Sequence, residues 1–593
     1  MSRQQALGPP VRRPERIPAR PQARASFRAI VRALPLAILL LSAALIWYDL
    51  GDREVLGRDE NVTIVHVDQP GLGAVLDTIG IKFTGQPGNM QPLYFLLQHL
   101  AWPLVGHSAF VLRFLPSAFG ILAVAVTYKM GAALFNRPAA LLGALLTAML
   151  PLHIRYAQIV RPYPMLVVLS LASAYFLARA WRTGRAGHWA GFAVTAALAY
   201  YTHYNALFVL AAEGLAAAAA WLATLVAVAR RRQEPRHLVL PVVAFVLLIA
   251  LCLPAVLHLG GMSWASLNAD GEATGRVTVE LTKPFFRGFL FRSGIMSGWL
   301  QALVAGLAVV GLVASALGGR PRVALLGALW ITLPFLVLSV APSPRPFEER
   351  YVIFVLPMLL LLAAQGVVAA GRGLGRLLPG RHGPLVGRAA AAGLAAVLVL
   401  LLLRPLQVSY AYTRSANRLE EVLAIVEKHA GPGEIVLVSP RFVVRPLETA
   451  GAAVVYLDHH PAPAEVDAYE GEARRLWILC TSFMPPIELQ EPLDGWLQAH
   501  LDDFVRLPIK TVNAVAFGTL DAEDAEAHLR AQVAVLEDLA ANPVSAHEDW
   551  ARLNALADAY QALGDLYRDG GQADLAAEFW GKAESARAAA PGP

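Results

Sequence analysis

The sequence is 593 residues long, carries a formal net charge of +6, and is 56% hydrophobic but only 16% charged. Soluble proteins are about one quarter charged, so this composition excludes an ordinary soluble protein. The excess of basic residues does not indicate nucleic-acid binding, because the arginines form short clusters between apolar runs, where the positive-inside rule of membrane proteins places them. The two cysteines, Cys252 and Cys480, are too few for a disulfide framework.

The N-terminal residues 1–32 are rich in Arg and Pro, which predicts a disordered cytoplasmic tail. A signal peptide is the alternative, but the missing small-residue cleavage site favours an uncleaved first membrane helix. Apolar runs of the length that crosses a bilayer then follow as far as residue 405. They predict eleven spans, near residues 33–49, 109–132, 138–153, 164–181, 188–202, 204–229, 238–259, 299–319, 322–341, 350–370 and 387–405.

A further apolar stretch at 92–105 has to be judged by charge. If it crossed the membrane, every later arginine cluster would lie outside the cell; if it does not cross, every cluster is cytoplasmic, as the positive-inside rule requires. We therefore predict a juxtamembrane or re-entrant helix at 92–105 and an extracytoplasmic C-terminal region. The clusters are Arg179, Arg182 and Arg185; Arg230, Arg231 and Arg232; Arg320 and Arg322; and Arg372, Arg376, Arg381 and Arg388.

The same topology gathers polar and aromatic residues at the outer ends of the spans. An aromatic belt accounts for the tyrosines, but it does not account well for the acidic pair Asp59–Glu60 or for Arg161 and Arg350. Ionisable groups at a membrane boundary need partners or water and are typical of functional sites. The sequence therefore predicts a site on the outer face.

Five short motifs occur in order along this face. They are GRDEN at 57–61, QPLYFLLQHL at 91–100, PLHIRYAQIVRPYPMLVVLSL at 151–171, YYTHYNALFVL at 200–210 and EERYVIFVLPMLLLLAA at 348–364. This ordered set, over residues 33–405, resembles the GT-C fold glycosyltransferases, in particular family 39 and its bacterial relatives, the protein O-mannosyltransferases and the aminoarabinose transferases of lipid A. The fold class implied is an α-helical polytopic membrane protein with about eleven transmembrane helices and one juxtamembrane helix.

The resemblance implies roles for individual residues. Asp59 matches the acid that removes the acceptor's proton, with Glu60 orienting it or binding a cation. Arg161 and Arg350 match groups that hold the leaving lipid phosphate, because a guanidinium offers paired donors. His203 and Tyr163 would add donors, while Asn89, Gln91, Tyr94 and Tyr204 would contact substrate. The alternatives are helix capping for the acidic pair and snorkelling for Arg350.

Two positions depart from the family pattern. Relatives often carry an acid and a His just before Pro-Leu-Tyr, where this chain has Asn89, Met90 and Gln91. They often have a Glu two residues before Arg-Pro-Tyr, where this chain has Ile159. The roles of those acids are therefore absent or altered here, so we assign no metal ligands. A divalent cation stays open, and the co-substrate implied is a lipid-linked sugar.

After residue 405 the sequence becomes mixed. Residues 410–520 alternate one amphipathic helix at 418–430 with strands at 433–440, 452–458, 475–483 and 514–520, which predicts a small extracytoplasmic α/β domain. Residues 521–593 are helical, and 562–583 resembles a single tetratricopeptide repeat. One repeat cannot bury its own apolar face, so we expect a helical hairpin packed on the α/β domain, with partner binding as the alternative.

These patterns together predict a glycosyltransferase that moves a sugar from a polyprenyl-phosphate carrier to an acceptor on the extracytoplasmic face. The expected location is a bacterial inner membrane, with the N-terminus in the cytoplasm. A transporter or flippase is the main alternative, although no inverted repeat is evident and the ionisable residues cluster at one face. A non-catalytic envelope scaffold is a third possibility.

Overall fold

The computed structural model describes most of the chain. The described residues are 21–48, 50, 58–79, 91–105, 109–230, 236–260, 289–290, 297–340, 349–378, 382–416, 419–439, 447–457, 463–469, 474–481, 504–506, 513–518, 525–541 and 546–590.

The N-terminal two thirds of the described chain is helical. The first eight helices are α1 (Pro21–Trp47), α2 (Arg58–Val67), α3 (Leu72–Ile79), α4 (Pro92–Val105), α5 (Ala109–Leu134), α6 (Arg137–Met149), α7 (Pro151–Ala157) and α8 (Tyr163–Thr183). The next seven are α9 (Ala186–Thr202), α10 (Ala206–Ala229), α11 (Arg236–Gly260), α12 (Gly298–Leu317), α13 (Pro321–Val340), α14 (Val355–Leu377) and α15 (Gly383–Ala416). A 3-10 turn, Glu349–Val352, precedes α14.

Within the described residues, eight helices are long and apolar enough to cross a membrane: α5, α8, α10, α11, α12, α13, α14 and α15. Counting the bent pair α6–α7 as one span gives nine. The two remaining predicted spans are also helical, but the apolar part of α1, Arg32–Trp47, and the 17-residue α9 are shorter. All eleven predicted segments are therefore helices in a polytopic membrane fold. Helix α1 begins at Pro21, within the segment 1–32 for which the sequence predicts disorder, and residues 1–20 lie outside the described residues.

The predicted span 138–153 is not one straight helix. It breaks at Leu150, whose backbone is extended (φ −75°, ψ 121°), and α7 then leaves α6 at 62°. The cause is local, because Pro151 disfavours helical geometry in the residue before it and donates no hydrogen bond. The bend places α7 and the 158–162 loop after it beside the start of α8.

Helix α4 carries the apolar stretch that charge placement assigns to the membrane boundary. Its 14 residues extend about 21 Å, short of a hydrocarbon core of about 30 Å. The ring of His99 hydrogen-bonds the carbonyl of Val67 at 2.8 Å, and Phe95 packs with Val67 and Val75. The helix is therefore fastened to α2 and α3.

Helix α14 lies in the middle of the membrane core. Nearly every residue from Val355 to Val367 is buried. Small residues let its neighbours approach: a side chain at Gly311 of α12 would overlap the backbone of Leu362, and one at Gly366 would overlap the backbone of Leu307. Close backbone approach through small residues is the usual packing mode of membrane helices.

The described part of the C-terminal region contains a five-stranded sheet and five helices. Helices α16 (Leu419–His429) and α17 (Pro463–Asp467) lie among the early strands, and α18 (Ala525–Ala541), α19 (Ala546–Asp569) and α20 (Ala573–Ala589) follow the sheet. The strands are β1 (Glu434–Ser439), β2 (Ala453–Tyr456), β3 (Arg475–Thr481), β4 (Phe504–Arg506) and β5 (Asn513–Gly518), in the order β2-β1-β3-β5-β4.

Strands β2, β1 and β3 are parallel, whereas β5 pairs antiparallel with β3 and β4. The four predicted strands are all present, and the three-residue edge strand β4 was not predicted. Val436 and Trp477 of the sheet share one buried cluster with Leu539 and Phe579 of the terminal helices. The terminal helices therefore pack against the sheet, as three helices rather than a lone hairpin.

Candidate functional site

The five motifs, which are far apart in the chain, come together at one end of the helical region. They lie on α2, on the start of α4, at the α7–α8 junction, at the α9–α10 junction and on the 3-10 turn before α14. Arg161, between α7 and α8, is the residue whose charge reaches most of them. Burial and, secondarily, the charge of Arg161 lower the pKa of His66 and of His203, and the same charge opposes the rise in the pKa of Tyr94 that burial causes.

A buried ion pair fixes α2 within this assembly. Arg113 of α5 donates from Nε to Glu60 Oε1 at 2.9 Å and from Nη2 to Glu60 Oε2 at 3.1 Å. The two side chains are only 2% and 5% exposed. Glu60 Oε1 also accepts the backbone N–H of Val160 at 3.0 Å. The carboxylate therefore joins α2, α5 and the loop that carries Arg161.

The 158–162 loop is held from its other side by Gln158. Its Nε2 donates to the carbonyls of Ile46 at 2.8 Å and Tyr48 at 3.0 Å, at the end of α1. Carbonyls in the last turn of a helix are the ones that need donors from outside it. The loop then turns sharply, because Arg161 N donates to the carbonyl of Ile159 at 2.7 Å. Arg161 thus projects from a backbone anchored at both ends.

The Arg161 guanidinium is half-buried among polar and aromatic groups. Its Nη1 donates to Thr63 Oγ1 at 3.4 Å, its side chain hydrogen-bonds Tyr163, and its Cζ lies 5.9 Å from the Tyr163 ring centroid. Burial and the charge of Arg161 together lower the pKa of His66 to about 4. The site is therefore electropositive with neutral donors around it.

His203 ends α9 and is a neutral donor in this arrangement. Burial and, secondarily, the charge of Arg161 lower its pKa to about 3. Its Nδ1 accepts the backbone N–H of Asn205 at 3.1 Å, so the proton of the neutral ring is on Nε2. The ring lies 5.5 Å from that of Tyr163 and 4.5 Å from that of Tyr204.

The 3-10 turn brings Arg350 to the same end of the bundle. Asn205 Nδ2 donates to the carbonyl of Tyr351 at 2.9 Å, and Tyr156 Oη donates to Glu349 Oε1 at 3.4 Å. Arg350 Cζ lies 5.8 Å from the Tyr351 ring centroid. Burial lowers the pKa of Arg350, whereas Tyr351 partly opposes that shift.

The predicted substrate contacts differ in how exposed they are. Gln91 is buried immediately before α4, and Tyr94 is fully buried within it. Among the described residues nothing hydrogen-bonds the Tyr94 hydroxyl, and burial raises its pKa well above 10. Tyr204 is 38% exposed, as a substrate contact requires.

Two predicted site residues, Asp59 and Asn89, lie partly or wholly outside the described residues. The Asp59 backbone lies in the first turn of α2, next to Glu60, but its side chain is outside the described residues, and Asn89 lies outside them entirely. In the part of the chain that the structure describes, no three His, Cys, Asp or Glu side chains converge as metal ligands would.

Sequence reasoning missed Arg113, Thr63 and His66. A signal for Arg113 was present, because an arginine inside the apolar run AFVLRFL needs a buried partner. Thr63 follows Glu60 by three positions on α2, and His66 follows Thr63 by three, so each is a neighbour of the one before it on the helix surface. Nothing in the sequence alone joined α2 to α5.

Comparison with known proteins agrees with this geometry. Residues 86–258 match the family model described as dolichyl-phosphate-mannose-protein mannosyltransferase, which includes three of the five motifs. No curated protein matches the chain in sequence.

Two solved structures share the architecture. ArnT from Cupriavidus metallidurans in the apo state superposes with a TM-score of 0.51 at 14% identity, over 84% of this chain and 98% of that chain. The same protein bound to undecaprenyl phosphate gives 0.50 at 14% identity, over 84% and 99%. The predicted resemblance is confirmed: the chain is a multi-pass membrane protein with the fold of the GT-C glycosyltransferases, and its residues 86–258 carry the sequence pattern of the dolichyl-phosphate-mannose-protein mannosyltransferases.

Proposed function

We propose that this protein is a membrane glycosyltransferase that takes a sugar from a polyprenyl-phosphate carrier and passes it to an acceptor on the extracytoplasmic face. The observation that carries the proposal is the convergence of the five motifs around Arg161. Bound undecaprenyl phosphate in an ArnT structure supports the choice of carrier, because a lipid phosphate suits an electropositive site at a membrane boundary.

The reaction makes two demands that these residues meet. The bond between the anomeric carbon and the carrier's phosphate oxygen breaks, and its electron pair leaves with the phosphate. Fixed donors then stabilise the growing charge. We assign this role to Arg161 and Arg350, with the His203 Nε2–H and the Tyr163 hydroxyl as neutral donors. A neutral His203 donates without adding a charge that pH could remove.

The second demand is that the acceptor loses a proton as it attacks. Its oxygen forms the new bond to the anomeric carbon while a carboxylate takes its proton. We propose Asp59 as that base, by resemblance and because its backbone precedes Glu60 on α2. We assign Glu60 a positioning role, since its two oxygens accept from Arg113 and Val160.

The remaining contacts form the walls of the substrate cavity in this proposal. Gln91 immediately before α4, Tyr94 on α4, Tyr204 after α9 and Asn89 earlier in the chain would contact the sugar or the acceptor. The unsatisfied hydroxyl of Tyr94 supports such a contact, because a buried polar group without a partner is costly. A divalent cation remains open as a further component.

The proposed location is the inner membrane of a bacterium, with the N-terminus in the cytoplasm and the C-terminal region outside. A reporter fused after Tyr412 tests this topology. It would be active only outside the cytoplasm, and activity confined to the cytoplasm would overturn the assignment. Protein partners of helices α18–α20 would then be envelope proteins.

The central experiment compares Asp59→Asn with Asp68→Asn, which changes an exposed acid just after α2. Mass spectrometry of envelope glycans, with and without the protein, first identifies the product. We expect Asp59→Asn to abolish that product and Asp68→Asn to preserve it, at equal protein levels in the membrane. Full transfer by Asp59→Asn would remove Asp59 as the base, and movement of a substrate across the membrane without transfer would favour a transporter.

A further inference from the structure

A second, unassigned cavity lies at the opposite end of the helical region. It has a volume of about 730 Å³, is open on one side, and is lined by α6, the end of α14 and the start of α15. Helix α14 has 23 residues and is therefore about 34 Å long. The candidate site adjoins its first turn and this cavity its last three turns. At 1.5 Å per residue, Arg372 and Arg376 lie about 26 and 32 Å along the helix from Val355, towards the end opposite the site.

Glycines bring α14 and α15 together beside the cavity. A side chain at Gly371 or Gly387 would overlap the other's backbone, and Gly375 and Gly383 meet in the same way. Within each helix the two glycines are four residues apart, Gly371 and Gly375 on α14 and Gly383 and Gly387 on α15, which is the small-xxx-small spacing of close membrane-helix crossings. Such crossings leave little room for side chains between the backbones, and here the arginines next to these glycines lie at the cavity instead.

Three arginines line the cavity: Arg372 and Arg376 from α14 and Arg388 from α15. None of them makes an ion pair or hydrogen bond within the part of the chain that the structure describes. The whole sequence from 350 to 419 contains no Asp or Glu, so neighbouring residues of α14 and α15 cannot neutralise them. Among the described residues, the cavity therefore has a positive charge that no acidic side chain compensates.

The rest of the cavity wall is apolar. Leu142 of α6, Val367 and Val368 of α14, and Ala391 and Ala395 of α15 form it. A ligand that fits both the arginines and the apolar wall has a phosphate to pair with the arginines and a hydrocarbon chain to lie along the wall. The volume lies within the range of about 300–1,000 Å³ that is usual for specific ligand sites.

We propose that this cavity binds one anionic phospholipid, with its phosphate held by Arg372, Arg376 and Arg388 and an acyl chain along the apolar wall. Basic pockets between membrane helices recognise anionic head groups on the cytoplasmic side, and paired guanidinium donors match a phosphate. A free phosphate would satisfy only the charge and would leave the apolar wall exposed. The site is independent of the proposed transferase activity.

The test measures lipid binding to the purified full-length protein by native mass spectrometry, with phosphatidylglycerol as the probe. Arg372→Gln combined with Arg388→Gln removes one charge from each helix. We expect about 30-fold weaker binding, the effect of losing two basic contacts to an anionic lipid. The matched control is Arg185→Gln with Arg230→Gln, two exposed arginines in other clusters predicted for the same membrane face, which should bind as the wild type does.

A second variant keeps the proposal testable if the arginine variant does not fold. Ala392 also lines the cavity and is exposed, so Ala392→Trp fills the apolar groove while keeping every arginine. It should weaken phosphatidylglycerol binding as well. The proposal is overturned if the arginine variant retains the lipid as well as its control, if phosphatidylcholine binds equally, or if inorganic phosphate alone displaces the lipid.

Discussion

Arg113 holds Glu60 by two parallel hydrogen bonds, at 2.9 and 3.1 Å, in a region almost closed to solvent. The same carboxylate accepts the N–H of Val160, one residue before Arg161. The position of the proposed phosphate-binding arginine therefore depends on an acid and a base that lie 53 residues apart on different helices.

Removing one member of this pair should destabilise the fold. Arg113→Leu leaves the Glu60 carboxylate buried and without its main partner, at a cost of about 3–5 kcal/mol. The double variant Arg113→Leu with Glu60→Leu should recover most of that loss, because a buried pair can often be replaced by apolar groups. Thermal or denaturant unfolding of the purified protein measures both.

The double variant also separates positioning from stability. It leaves the N–H of Val160 without its carboxylate acceptor, so glycan transfer should stay low although the fold is restored. Equal transfer by the double variant and the wild type would show that Glu60 does not position the Arg161 loop.

Arg161→Lys should weaken carrier binding although it preserves the charge. A lysine ammonium cannot give the paired, planar donors of a guanidinium to a phosphate, and it loses the contact with Thr63. We expect at least tenfold weaker binding of undecaprenyl phosphate, a loss of about 1.4 kcal/mol, measured by native mass spectrometry of the purified protein.

Arg155→Lys is the control for that measurement. The Arg155 side chain is 49% exposed and its Nη1 lies 3.9 Å from Glu349 Oε1, a long ion pair that a lysine can also make. Binding of undecaprenyl phosphate by Arg155→Lys should stay near the wild-type level. A comparable loss in both variants would mean that Arg161 has no special role.

Acidification should destabilise the protein through two buried histidines. The folded pKa values of His66 and His203 fall to about 4 and about 3, below the unfolded value near 6.5. Between pH 6.5 and the folded pKa values, the unfolded state binds more protons than the folded state. The stability contributed by the two neutral histidines is therefore complete above about pH 6.5 and is lost as the pH falls.

The expected slope is up to about 1.4 kcal/mol per pH unit for each histidine. His203→Gln should flatten the decline of the melting temperature between pH 7 and 4.5, whereas His382→Gln, at an exposed position, should leave it unchanged. An unaltered decline in the His203 variant would contradict a neutral, buried imidazole at this position.

Gly311→Ala should loosen the contact between α12 and α14. The added methyl group would meet the backbone of Leu362, and overpacking of this kind costs about 1–3 kcal/mol. Gly306→Ala, on the same helix, has nothing within 4 Å and should be neutral or slightly stabilising because alanine favours a helix. Melting temperatures in detergent measure the effect of each variant. Equal effects of Gly311→Ala and Gly306→Ala would contradict a close approach of α12 to α14 at Gly311.

The sequence by itself determined the class of this protein. Apolar runs of membrane length and arginine clusters placed all eleven helical segments and separated α4 from the spans, because hydrophobicity and charge act on each segment independently of its neighbours. Alternating patterns likewise located four of the five strands. The five motifs were also recognisable, since they are short and continuous.

Only the tertiary structure decided which of these residues meet. The Glu60–Arg113–Val160 connection, the neutral state of His203 and the cavity around Arg372 and Arg388 depend on packing between segments that are far apart in the chain. The break at Leu150 has a local cause in Pro151, whereas the 62° angle between α6 and α7 was not predictable from the sequence. Contacts, burial and electrostatic shifts arise between segments, so no single segment encodes them.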